Sequence, residues 1–149
     1  MAGIGTVRRG FARTGMIGVV LGGAILSGIG TASAQKASDA SGLWLTETGG
    51  SKVRISRCGN GYCGVLASVS GPGLDAKNPD PSLRTRSLVG VEIMNASNAS
   101  GDSFEGSLYN PNDGKTYSGS LTIKGPNLVE VSGCVMSVFC KSQTWKRAN

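Results

Sequence analysis

Lys77, Asn78, Arg84 and Arg86, with the acids Asp75 and Asp80, crowd the stretch DAKNPDPSLRTRSLVG (Asp75–Gly90) of an otherwise lightly charged chain. Two chemistries suit them. Guanidinium groups turned inward offer donors to a carboxylate or phosphate ligand. Turned toward Asp75, Asp80 or Asp113 instead, they pair and rigidify the loop. A second stretch, YNPNDGKTY, makes a hairpin turn at Asn112–Gly114, from which Tyr109, Lys115 and Tyr117 can reach the same place. Asp75, Asp80 and Asp113 also raise the question of a carboxylate pair for glycoside hydrolysis. Acids beside proline and glycine more often cap turns, so a hydrolase acting on an envelope saccharide or peptide through Asp80 or Asp113 is the remote reading. The chain has no histidine, which removes Ser-His-Asp and Cys-His catalysis. No nucleotide-binding or serine-hydrolase motif appears, and no cofactor, metal site or catalytic residue is expected.

Cys58, Cys63, Cys134 and Cys140 are the four cysteines. Their spacings, C-x4-C and C-x5-C, depart from the knuckles of a zinc site and from a redox C-x-x-C. In CGNGYC the Asn60-Gly61 pair is a strong hairpin signal. With those two as turn residues, Cys58 faces Cys63 as a non-hydrogen-bonded pair about 4.5 Å apart, within reach of a disulfide. The second bridge, Cys134 to Cys140, follows by elimination. Each closes a short loop and adds only about 2 kcal/mol.

The elements that must position these groups are short and β-like. Strands are predicted over Gly42–Glu47, Lys52–Cys58, Tyr62–Ser68, Leu88–Met94, Ser103–Tyr109, Thr116–Lys124, Asn127–Gly133 and Lys141–Arg147, separated by glycine- and asparagine-rich turns. Alternation puts Val53 and Ile55 on one face and Arg54 and Ser56 on the other; Tyr117, Leu121 and Ile123 share a face likewise. An all-β meander of this size avoids open edges by closing into an eight-stranded antiparallel up-and-down barrel, which side chains can fill or one small ligand can occupy. The one long connection, Val69–Ser87, holds the charged stretch and reads as a lid or belt across one mouth, with a helical turn at DPSLR.

The N-terminus reads as an export signal. Arg8, Arg9 and Arg13 precede an uncharged run that ends in Ala32-Ser33-Ala34, so cleavage after Ala34 is expected. RRGFAR matches a twin-arginine core, with general secretion the other route. The apolar core is too short to span a bilayer, so no integral membrane protein is expected. The domain then runs over residues 35–149, in the periplasm or secreted. There, seven lysines and five arginines against nine acids leave +3 of the full chain's +6, no support for a nucleic-acid partner. The tip VMSVF (Val135, Met136, Val138, Phe139) is either an exposed patch for a protein partner or dimer, or a plug folded into the barrel.

The blocks GLWLTE, VRISRCGNGYCGVL, KNPDPSLRTRSLVG, YNPNDGKTYSGSL and SQTWKR together resemble the bacterial domain-of-unknown-function family 2147. The resemblance implies an exported protein with a lipocalin- or calycin-like barrel and no established activity. Gly42-Leu43-Trp44 and Arg147 are similar to the lipocalin closure, in which an arginine stacks on the first-strand tryptophan. Together these readings describe a non-enzymatic barrel that binds a small, partly apolar, anionic ligand. A side-chain-filled envelope protein-interaction module is the alternative.

Overall fold

The computed structural model describes residues 38–149; the expected export signal over residues 1–34 lies outside them. Eight strands follow one another: β1 (Gly42–Leu45), β2 (Lys52–Cys58), β3 (Gly61–Ser68), β4 (Glu92–Ser100), β5 (Ser103–Asn110), β6 (Lys115–Gly125), β7 (Leu128–Val135) and β8 (Phe139–Arg147). Each pairs antiparallel with its neighbours, and β8 returns to β1, so the sheet is a closed barrel. The β1–β8 seam is short: Trp44 faces Arg147 and Leu45 faces Lys146, and the Ala148 N–H donates to the Leu43 carbonyl at 2.8 Å.

Alternation along the strands sends one face inward. Trp44, Val53, Ile55, Tyr62, Leu66, Met94, Leu121, Val129, Val131 and Trp145 form the core, with Phe104, Leu108 and Ile123 packed against it. The expected shared face of Tyr117, Leu121 and Ile123 is observed, since Leu121 pairs with Val131 and Ile123 with Val129.

One end is sealed. Arg147 lies over the Trp44 ring at 4.4 Å and donates through Nη1 to the Ser41 carbonyl (2.8 Å), through Nη2 to Asp39 O (2.9 Å) and through Nε to Pro126 O (2.6 Å). Trp44 Nε1 donates to Ala40 O at 2.7 Å, and the Tyr62 hydroxyl donates to Asp39 Oδ1 at 3.0 Å. Arg147→Ala should therefore cost about 2 kcal/mol, from the stacked charge and its charge-assisted hydrogen bonds. Arg147→Lys should recover less than half of that, because one ammonium cannot stack and reach three carbonyls together. Urea unfolding of the two variants checks this; equal loss in both would mean that only the charge matters.

Two expectations need correction. The turn of the β2–β3 hairpin is Gly59-Asn60, not Asn60-Gly61: Cys58 pairs with Gly61, Arg57 with Tyr62, and Ser56 with Cys63. Gly59 takes the positive φ of 54°. Gly61 is glycine for another reason, since a Cβ there would sit 2.1 Å from the Ala96 carbonyl oxygen of β4. The Cys58–Cys63 disulfide still forms, but diagonally, with Cα atoms 5.6 Å apart. A register shift of two residues keeps every side chain on its face, so the pairing survives. The second correction is β4, expected from Leu88 but beginning at Glu92. Leu88 is buried in the core, and Gly90 at φ 94° turns the chain before the ladder starts. The second bridge joins directly opposed Cys134 and Cys140, with Cα atoms 4.0 Å apart.

Candidate functional site

The chain directions place the β1–β2, β3–β4, β5–β6 and β7–β8 connections at the end opposite the seal. The β3–β4 connection, residues 69–91, is a belt. Leu74 and Ser87 bridge its two limbs, and the Asp75 N–H donates to Arg86 O at 3.1 Å. Between them Pro81–Leu83 forms the expected helical turn, a 3-10 turn, with Asp80 as its N-cap. The belt reaches across to the β5–β6 hairpin, where a Cβ on Gly114 (φ 70°) would lie 1.8 Å from Lys77 O. Only glycine permits that approach.

Asp75 is the hub. It is fully buried, and its Oδ1 accepts from the Tyr109 hydroxyl at 2.5 Å. Its Oδ2 accepts from Asn78 Nδ2 at 2.8 Å and from Arg86 Nε at 2.9 Å and Nη2 at 2.8 Å. Asn78 Nδ2 also donates to the Tyr109 oxygen, and its Oδ1 accepts from the Asp80 N–H. Burial pushes the Asp75 carboxyl pKa up, but the hydrogen bonds from Tyr109, Asn78 and Arg86 outweigh it and hold the group below the ordinary range. Burial and then the neighbouring carboxylate push Tyr109 up. The carboxylate stays charged and the phenol stays protonated at neutral pH, so the pair is a structural clamp with no proton to trade there.

Of the residues expected at a ligand site, three, Asn78, Arg86 and Tyr109, meet at this clamp and are spent on it. Arg84 donates through Nε to Asn78 O at 2.8 Å and is otherwise exposed. Asp80 caps its turn by accepting from the Ser82 N–H and hydroxyl, bonds that lower its pKa. Tyr117 donates to Asp113 at 2.5 Å, which lowers the acid and raises the phenol. Asp80 and Asp113 are thus each committed to their own turn. Lys77 and Lys115 are exposed and make no ion pair among the described residues.

The barrel interior is uneven. At the level of Leu121, Val129 and Trp145 it is packed solid. From that level toward the mouth the inward-facing positions are Tyr117 and Lys115 on β6, Val135 on β7, and Gln143, Lys141 and Phe139 on β8, read by alternation from Leu121, Val131 and Trp145, with Gly119 and Gly133 between them under the Leu108 side chain. These positions are open: Phe139 is 73% and Val135 48% exposed, Lys141 is exposed, and Tyr117 and Gln143 are half-buried. The result is an open wall above a filled bore, its apolar surface from Tyr117, Val135 and Phe139 and its polar groups from Lys115, Lys141 and Gln143. Counting back in twos from Trp145 through FCKSQTW would have found it in the sequence.

Two concavities lie on the outer wall. One, of about 190 Å³, includes Asn95, Ser107 and Thr116 in its lining. The other, of about 500 Å³, includes Glu105, Ser118 and Ser120. All six side chains alternate with inward-facing positions of their strands.

The family model described as an uncharacterized protein conserved in bacteria, DUF2147, matches residues 42–147. Among solved structures, protein HP1028 from the human pathogen Helicobacter pylori, described as belonging to the lipocalin family, is similar to this chain with a TM-score of 0.66. The identity is 25%, over 75% of this chain and 84% of that one. No curated protein matches the sequence.

Proposed function

We propose, from the premise that this chain belongs to the DUF2147 family and has a lipocalin-like barrel, that it is an exported, non-enzymatic protein that binds a small amphiphile at the open mouth. The two disulfides fit an oxidising compartment outside the cytoplasm. The observation that carries the reading is the open inward wall above the packed bore. Tyr117, Val135 and Phe139 offer apolar surface there. Lys141 and Lys115 on the strands, with Lys77 and Arg84 on the belt, offer cations to an acidic head group. A filled bore takes no deep guest, so the ligand lies at the mouth. The belt clamp keeps the loops in place while binding occurs.

Laurate below its micellar concentration, titrated calorimetrically into the barrel unit Gln35–Asn149, should bind saturably. Lys141→Ala and Tyr117→Ala should each weaken it about tenfold, or about 1.4 kcal/mol. Unsaturable heats with both laurate and a single-chain lysophospholipid would sink the proposal. The packed bore is also what a pure protein-interaction module would show, and that reading gains if neither lipid binds.

A further inference from the structure

The β7–β8 tip is the most apolar exposed feature among the described residues. Met136 is 85%, Val138 74%, Phe139 73% and Val135 48% exposed. These side chains do not plug the barrel. They stand at the tip of the β7–β8 hairpin, whose base is clamped by Cys134–Cys140 and whose Ser137 borders the outer-wall concavity with Ser118 and Ser120. Met136 and Ser137 both adopt positive φ, 53° and 57°, a conformation most non-glycine residues avoid. The disulfide-closed turn therefore presents a preset knob, and presenting it costs little ordering on contact.

Three occupants compete for such a knob: a second copy, another protein and a lipid surface. At roughly 200 Å² for an aromatic side chain and less for the others, the four side chains offer on the order of 500 Å². A stable dimer needs about 800 Å² per partner, and a convex tip does not mate with itself. An interfacial lipid layer needs neither a matching groove nor that area, since binding there scales with inserted apolar surface and with attraction of cations to acidic head groups. The charges fit as well: no acid lies between Ser132 and Gln143, where Lys141 is the one charged residue. Lys115 stands exposed at the start of the neighbouring strand β6.

We infer that the VMSVF hairpin is a membrane-surface anchor, inserting Met136 and Val138 into the interfacial layer of an acidic bilayer and turning the barrel mouth toward it. The chain would be held peripherally, with no span. The inference goes beyond ligand binding, and the residues that test it are not those of the mouth wall.

The barrel unit Gln35–Asn149, which closes on itself and carries its own core, is floated with vesicles of phosphatidylglycerol or of phosphatidylcholine alone. The wild type should float with the acidic vesicles, and Met136→Ser/Val138→Ser should reduce the bound fraction at least tenfold while laurate binding persists. Met136→Trp supplies a second readout. Trp44 and Trp145 are buried, so a blue shift on adding vesicles, quenched by brominated lipid, reports insertion of the tip. Unshifted emission, or equal flotation of the double variant, overturns the anchor. So does a lipid-free dimer or a complex with another protein that the double variant abolishes while vesicle binding is untouched.

Discussion

Trp44→Ala is expected to cost about 4 kcal/mol, the middle of the range for removing a buried aromatic side chain. The indole is completely buried at the level where β1 meets both β2 and β8, facing Val53 on one side and Arg147 on the other. Its removal leaves a void against the core, orphans the Ala40 carbonyl that accepts from Nε1, and takes the platform from beneath the Arg147 guanidinium. A domain of this size has only about 5–15 kcal/mol in total, so the melting temperature should fall by on the order of 15 °C. Trp44→Phe should lose less, since it keeps part of the volume and the ring. A loss below about 1 kcal/mol in chemical denaturation would mean that the seam is not closed as described.

The second large effect is expected at Asp75. Removing one member of a buried ion pair strands the other, at about 3–5 kcal/mol where both are enclosed. The Arg86 side chain is 37% exposed and can be partly rehydrated, so about 2–3 kcal/mol is expected for Asp75→Ala. Because the folded pKa of Asp75 is depressed, its contribution is fully present above the unfolded carboxyl value near 3.9. It is lost as the pH falls through the lower folded value. Wild-type stability should therefore drop below about pH 4, and Asp75→Asn should flatten that part of the profile. Parallel profiles for the two proteins would show that the carboxylate is not held as its partners imply.

These two residues also mark what could and could not be read from the chain alone. Trp44 and Arg147 carry a resemblance at the two ends of the domain, and alternation with turn chemistry orders the strands between them. The closure was legible because period and spacing are local signals summed over eight elements. Asp75 was legible as one of three acids that the belt arginines could meet. Nothing local says that Tyr109, 34 residues on, completes the clamp, because that contact depends on how the belt lies across the β5–β6 hairpin. The same limit explains Gly61. Its role is set by the β4 backbone beside it, whereas CGNGYC advertises a turn. The start of β4 was misplaced because LVGVEIM is apolar throughout: Leu88 belongs to the core without belonging to the ladder. Asn78, Arg86 and Tyr109 stood among the candidate site residues by side-chain type alone, and their contacts in the folded chain are with the belt, while Lys141 and Gln143 of the mouth wall were not among those candidates.

The brevity of β1 has a consequence for the seam. β1 stops at Leu45, and where it would have continued, the Glu47 carboxylate accepts from the Thr144 N–H at 2.6 Å and Gln143 donates to the Thr48 hydroxyl. Above that point β8 is laddered to β7 only. Along that flank the wall is stitched by side chains where elsewhere it is woven from backbone. The upper seam therefore depends on which residues stand at 47, 48 and 143, whereas the rest of the barrel depends on strand pairing alone.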